Sequence, residues 1–117
     1  AITDRKIVVK GSKDRFRDFI YIDDVVSGFC ELEKRVSDEY KSYNLTNNKK
    51  ITVEELTQEI KNIVGKDVTI NYDGSTPGDQ FGVYGDNSNI LTETNWIPKT
   101  SFKEGLKKMI NWSNNNL

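Results

Sequence analysis

Residues 17–26, with the sequence RDFIYIDDVV, constrain the fold of this chain more than any other stretch. The apolar run at residues 19–22 combines β-branched and aromatic side chains, which is typical of a strand buried on both faces. Asp23 and Asp24 end that run, and either carboxylate can accept hydrogen bonds from the free amides of a following helix turn. The stretch therefore predicts a strand, a tight turn and a helix.

The predicted helix extends from about residue 24 to residue 36, because apolar residues recur every three or four positions and charged residues occupy the other side. Its apolar side chains are expected to face a core: Val25, Val26, Phe29, Cys30, Leu32 and Val36. Cys30 is the single cysteine, so it can form no internal disulfide, and we expect a small buried side chain in a reducing compartment.

Alternation and capping patterns predict the remaining elements. Alternating or β-branched apolar residues predict strands at residues 6–10, 40–46 and 68–72. Thr52 followed three residues later by Glu55 is a capping box, which predicts a helix that stops at Gly65. Polar caps near residues 86–88 and 101 predict a short helix and a long final helix, and Trp96 is expected to anchor the core between them.

Composition limits the classes of protein and function that are possible. A chain of 117 residues allows one domain with one modest core. The net charge of -1 argues against a nucleic-acid partner, and the absence of histidine excludes metal sites and triads based on imidazole. No apolar run approaches the roughly 20 residues needed to cross a bilayer, and no signal peptide opens the sequence, so we expect a cytoplasmic protein without a membrane partner.

A basic cluster and an irregular loop are the places where function is expected. Lys13, Arg15 and Arg17 lie close together, and a guanidinium group offers a planar fork of donors that matches phosphate oxygens. An ordinary surface salt bridge is the alternative role for each of these residues. Residues 73–79 are rich in turn-forming residue types and are expected to form an exposed loop.

Three stretches, in this order along the chain, together resemble the C-terminal part of extended short-chain dehydrogenases, the nucleotide-sugar epimerases and dehydratases. They are residues 17–26, the sequence YNLT at residues 43–46, and PGD at residues 77–79 leading to DNS at 86–88 and NWIP at 95–98. The resemblance covers nearly the whole chain. It implies an α/β fold with a small mixed sheet and about four helices, in which residues 1–117 form a single substrate-binding domain and the Rossmann half is missing.

The resemblance also implies roles for residues that would hold the nucleotide. Main-chain groups of Val8 and Val9 would pair with the edge of the base. Lys10 stands where an aromatic residue often precedes the glycine, so stacking on the base is not expected here. Arg17 matches the arginine that contacts the pyrophosphate of the nucleotide sugar.

Three further positions of the resemblance concern the phosphates and the sugar. Thr76 stands where many family members have a second arginine, and its hydroxyl can donate only a weaker, neutral hydrogen bond. Asp79 is expected either to contact the ligand or to fix the loop. Val83 occupies the position that borders the sugar in the 4-epimerases, and its small side chain would leave room for a 2-acetamido group.

The chemistry of this family needs a glycine-rich dinucleotide loop and a tyrosine with a lysine four residues later, and the sequence contains neither. We therefore expect a fragment that is inactive alone and binds a nucleotide diphosphate sugar. The parent would be an NAD-dependent 4-epimerase, similar to UDP-glucose 4-epimerase, with NAD in the missing N-terminal half. Part of a 4,6-dehydratase, or a stand-alone non-enzymatic α/β binding module, is the alternative.

The family resemblance implies a homodimeric parent. In that parent the strand near residues 43–45 joins a sheet supplied by the missing half. Without that neighbour, the open strand edge and an apolar surface that includes Val26 and Phe29 would be uncovered. We therefore expect the fragment either to self-associate or to keep residues 17–46 mobile.

Overall fold

The computed structural model describes residues 4–35, 39–74, 77–78 and 80–116. Within these residues four strands and four helices follow one another along the chain. They are β1 (Lys6–Lys10), β2 (Phe16–Arg17), α1 (Ile22–Glu33), β3 (Ile51–Thr52), α2 (Val53–Val64), β4 (Thr69–Asp73), α3 (Ser88–Glu93) and α4 (Phe102–Asn116). The α/β fold with a small mixed sheet and about four helices is thus confirmed.

The strands form two small sheets of opposite type. β1 and β4 pair in parallel, with Val8 opposite Asn71, while β2 and β3 pair antiparallel, with Arg17 opposite Ile51. A single parallel bridge adds Gly82 to the side of β2 at Phe16. The second sheet is therefore built from three separate segments of the chain.

Local capping signals place the helix starts. The Thr52 side chain accepts from the Glu55 amide, and the Glu55 carboxylate accepts from the Thr52 amide, so α2 begins with the predicted capping box. Asp86 accepts a hydrogen bond from the Ser88 amide at the start of α3, and the Ser101 hydroxyl accepts from the Glu104 amide at the start of α4. These helices are set by residues close in sequence.

The fully buried core is small and lies among the last two thirds of the chain. It consists of Val68, Ile90, Trp96, Leu106 and Ile110, so the prediction of Trp96 as a core anchor is confirmed. The Cα radius of gyration is 17.0 Å, against roughly 13 Å for a compact domain of this length. The solvent-accessible surface is 8152 Å², against about 6,500 Å² for a folded monomer of this mass.

The predicted strand at residues 19–22 is wrong, because β2 ends at Arg17 and α1 begins at Ile22. Asp24 does not cap this helix. Its carboxylate is buried and accepts hydrogen bonds from the Lys99 and Thr100 amides, 75 and 76 residues further along the chain. A contact so distant in sequence cannot be deduced from the neighbours of Asp24.

The prediction that Cys30 is buried is wrong. Cys30 is exposed, and it shares the outer surface of α1 with Val26 and Phe29, which are 53% and 64% exposed. Residues 40–46 pair with no strand among the described residues, and their pairing with a sheet of the missing half stays a prediction. Both segments lack a neighbour in the described part of the chain.

Candidate functional site

The site residues expected from the sequence fall into two neighbouring sheets and one loop. Val8 and Val9 lie in β1, whose only strand partner in the described part of the chain is β4. The other edge of β1 consequently presents main-chain groups that can pair with a flat hydrogen-bonding edge such as that of a base. Val8 is 51% exposed. Their assignment to a base stays a prediction.

The turn between β1 and β2 uses two residues of the basic cluster for structure. The Arg15 guanidinium donates to the Lys10 and Ser12 carbonyls, which fixes the turn. The Lys13 ammonium donates to the Glu54 carboxylate at 2.8 Å, and this hydrogen bond raises the pKa of Lys13. Lys13 therefore ties the turn to the first turn of α2, and Arg17 is left as the member of the cluster best placed for a ligand.

Arg17 is half-buried at the end of β2, where it pairs with Ile51 of β3. Its Nη1 donates to the Phe16 carbonyl at 2.8 Å. This bond bends the guanidinium back along its own strand. A guanidinium presents five N–H donors in a planar fork, which matches the oxygens of a phosphate.

The segment at residues 80–86 brings Val83 beside Arg17. The Phe16 amide donates to the Phe81 carbonyl at 3.2 Å, and Phe16 bridges to Gly82. A methyl group built on Gly82 would overlap the Phe16 ring, so the two residues share one face. The register of this parallel bridge sets Val83 next to Arg17 on the neighbouring segment.

The same segment is fastened at its far end by Asp18. The Asp18 carboxylate accepts from the Asn47 amide at 3.2 Å and from the Gly85 amide at 3.3 Å. The Lys50 ammonium lies 5.1 Å from the Phe16 ring centroid and 4.5 Å from the Tyr84 ring centroid, a cation–π arrangement over both rings. Residues 82–85 are thus held at both ends.

The loop residues Thr76 and Asp79 lie outside the described residues, so their roles stay predictions. Between them, Pro77 and Gly78 are exposed, and Gly78 has a φ of 81° that favours glycine. Val83, four residues after Asp79, is 49% exposed. Its surface is available to a ligand or to another part of a larger protein.

Sequence reasoning missed Phe16, Lys50 and Gly82 as residues that shape the site. Phe16 and Gly82 are 66 positions apart, and neither a lone phenylalanine nor a lone glycine carries a motif. Their contact is visible only once β2 and the 80–86 segment lie side by side. The RDF sequence at residues 17–19 did mark Asp18, but not its partners.

The described residues contain no group of three or more His, Cys, Asp or Glu side chains that could hold a metal ion. None of the described helices is both long enough and apolar enough to cross a membrane. What the site offers chemically is an arginine fork, an open strand edge and a small apolar side chain. Groups of this kind can bind and orient a ligand.

The α/β fold is that of part of the extended short-chain dehydrogenases, the nucleotide-sugar epimerases and dehydratases. The family model for GDP-mannose 4,6 dehydratase matches residues 1–109. The chain belongs to this family.

The proteins that this chain is similar to include enzymes of nucleotide sugars. A UDP-glucuronate 4-epimerase from Thermodesulfobacterium geofontis is 30% identical over 97% of this chain and 35% of its own length. The solved structure of a UDP-glucose 4-epimerase from Thermotoga maritima, with UDP-glucose, has a TM-score of 0.83 and 27% identity over 95% of this chain and 35% of its own.

A third structure, MoeE5 in complex with UDP-glucuronic acid and NAD, shares the fold with a TM-score of 0.83 and 22% identity, covering 96% of this chain and 38% of its own. The chain therefore spans little more than a third of the length of the proteins it is similar to.

Proposed function

We propose that this chain is the nucleotide-sugar-binding part of an NAD-dependent nucleotide-sugar 4-epimerase. The observation that carries the proposal is the register of the Phe16–Gly82 bridge, which sets Val83 next to Arg17 on the neighbouring segment. There one guanidinium can grip a diphosphate while the neighbouring small side chain borders the sugar. The contribution to catalysis is positioning, which presents the sugar ring to chemistry located elsewhere.

The surface of the chain supports a partner that supplies the rest of the enzyme. Its radius of gyration and solvent-accessible surface both exceed those of a compact monomer of this size. The excess includes an apolar stripe along α1, made of Ile22, Val26 and Phe29 at helical spacing, each more than half exposed. A soluble domain normally buries such a stripe, so an N-terminal half that carries NAD is the occupant that we propose for it.

In the complete enzyme, bound NAD would supply a reversible hydride acceptor for transient oxidation of the sugar at C4, and hydride return from its reduced form to either face would give the epimer. The residues of this chain would hold the diphosphate and the base during that cycle. Val8 would pair with the base through its main-chain groups at the open edge of β1, whereas the main-chain groups of Val9 face β4. Arg17 would neutralise the diphosphate. Thr76 and Asp79 complete the proposed phosphate loop, and we infer that the complete enzyme is a cytoplasmic homodimer.

A dehydratase is the second candidate, favoured by the description of the matching family model as a GDP-mannose 4,6 dehydratase. It would use the same diphosphate grip and differ in the step after C4 oxidation, where water is eliminated. Incubating the complete gene product with a nucleotide sugar and following the sugar by NMR separates the two. A C4 epimer indicates the first function and a 4-keto-6-deoxy sugar the second.

Replacement of Arg17 tests the proposed binding role. In the complete gene product, Arg17→Ala should weaken binding of UDP-glucose by roughly 1.5 to 3 kcal/mol, the range for a hydrogen bond to a charged group. Arg35→Ala is the matched control, because Arg35 is an exposed arginine that pairs with Glu31 on α1. Isothermal titration calorimetry measures both variants.

Equal affinity of Arg17→Ala and Arg35→Ala would remove the proposed role of Arg17. A thermal unfolding curve for each variant shows whether folding is preserved. Arg17 contacts a main-chain carbonyl at the end of a two-residue strand, so we expect the two curves to be similar.

A further inference from the structure

We propose that Phe16 and Gly82 form a matched pair that sets the spacing between Arg17 and Val83, and so tunes which sugar the site accepts. This inference rests on the proposed binding of a nucleotide sugar at Arg17 and Val83. It adds two positioning residues that touch neither phosphate nor sugar. Their contact comes one residue before Arg17 and Val83 on the two neighbouring segments.

The first observation is steric. A methyl group on Gly82 would overlap three ring carbons of Phe16, so the backbone of residues 81–83 lies as close to β2 as this ring permits. Glycine is required here for close approach. A side chain at residue 82 would force either the ring or the strand to move.

The second observation is that the ring itself is restrained. Phe16 packs edge-on against Phe81, with ring centroids 6.0 Å apart and planes at 85°, and it lies 6.4 Å from the Tyr84 ring. Lys50 lies over both Phe16 and Tyr84. A ring enclosed in this way has little room to rotate, so the strand is the part that would shift.

The third observation links this contact to the proposed site. Arg17 directly follows Phe16, and Val83 directly follows Gly82, so a change in the Phe16–Gly82 separation is transmitted to the Arg17–Val83 separation through one peptide unit on each strand. The far end of the segment is pinned, because the Gly85 amide donates to Asp18 and its backbone lies against the Thr46 side chain. The shift is therefore concentrated at residues 82 and 83.

Three variants of the complete gene product test the pair. Gly82→Ala should push residues 82–83 away from β2 and widen the space beside Val83. The affinity ratio for UDP-N-acetylglucosamine over UDP-glucose should then rise on the order of 10-fold, the effect of one pocket group. Phe16→Leu makes room for the methyl, so the double variant Phe16→Leu/Gly82→Ala should return the ratio to within about twofold of the wild-type value.

Gly28→Ala is the matched control for an ordinary packing clash. Its new methyl group would lie 2.6 Å from Leu45 Cδ2, away from Arg17 and Val83. It should lower the melting temperature without changing the ratio of the two affinities. Calorimetry with both nucleotide sugars gives the ratios, and steady-state kinetics should place the change in KM rather than in kcat.

An unchanged ratio in Gly82→Ala, or a double variant that keeps the altered ratio, overturns the inference and leaves the proposed function standing. If Gly82→Ala does not fold, the single variant Phe16→Leu decides, because loosening the same contact should also change the ratio. A wild-type protein that binds neither UDP-glucose nor UDP-N-acetylglucosamine would overturn the proposed function and this inference together.

Discussion

Replacing Asp24 is the most informative perturbation of the fold, because this buried carboxylate joins the first helix to the segment that precedes the last helix. It is only 4% exposed, and it accepts from the Lys99 amide at 3.1 Å and from the Thr100 amide at 2.8 Å. The Trp96 indole donates to the Asp24 carbonyl at 2.9 Å, so three hydrogen bonds connect this one residue to residues 96–100. Only the two carboxylate bonds depend on the side chain.

The expected loss follows from those two bonds. Asn keeps one oxygen, but its amino group faces the second amide, so Asp24→Asn should lower the free energy of unfolding by roughly 2 to 4 kcal/mol. Asp24→Ala leaves both amides without a partner, and its loss should be roughly 3 to 6 kcal/mol. Either value is a large share of the roughly 5 to 15 kcal/mol that stabilises a typical domain.

Urea unfolding followed by tryptophan fluorescence measures this loss. Trp96 is buried and Trp112 is 65% exposed, so the background variant Trp112→Phe makes the signal report on the Trp96 environment. Asp23→Asn is the control, since Asp23 is an exposed carboxylate in the same helix turn. If Asp24→Asn and Asp23→Asn differ by less than about 0.5 kcal/mol, the scatter of an ordinary surface substitution, then Asp24 does not connect the two ends of the fold.

Four further predictions follow from the proposed function and from the surface. The 117-residue chain, mixed with NAD and UDP-glucose or UDP-galactose, should leave the sugar unchanged, and turnover above a blank by pure protein would contradict this. Val83 should let the complete enzyme accept N-acetylated nucleotide sugars, and a thousandfold preference for UDP-glucose in kinetic assays would count against it. Hydrogen bonds from the Tyr43 hydroxyl, and then from Lys41, lower the pKa of Glu93. The stabilisation that these bonds give is therefore present above the ordinary pKa of 4.5 and is lost as the pH falls through the lowered pKa. Glu93→Gln should reduce this loss of unfolding free energy at acid pH, measured by urea unfolding at a series of pH values. The chain alone should self-associate or keep residues 17–46 mobile, and a monomer with uniform amide protection from residue 19 to 112, measured by light scattering and amide exchange, would refute this.

The sequence predicts those parts of the fold that depend on near neighbours. Thr52 and Glu55 are three residues apart, so their capping box is legible in the sequence and is present in the structure. The three β-branched residues between Lys6 and Lys10 likewise give β1 its observed bounds. Trp96 is a large aromatic residue two positions before Pro98, and it lies in the core as predicted.

The errors concern residues whose environment is supplied from far away. Residues 19–22 are apolar like a buried strand, yet no strand pairs with them among the described residues, and α1 begins inside the run. Cys30 lies on a helix face that looks internal by periodicity but is exposed here. Periodicity identifies an apolar face without identifying what covers it.

The candidate site divides in the same way. A family resemblance was enough to single out Arg17 and Val83, and the Phe16–Gly82 bridge sets these two residues next to each other in register. Phe16 and Gly82 could not be found from the sequence, because their importance lies in a contact between segments 66 residues apart. Thr76 and Asp79 stay predictions.

The most direct test of the account is a crystal structure of the complete gene product with UDP-glucose. The account predicts a diphosphate oxygen about 3 Å from the Arg17 guanidinium, with the sugar ring beside Val83 and the base along the open edge of β1. The proposed site would be contradicted by a structure in which UDP-glucose binds elsewhere and protein covers Arg17 and Val83.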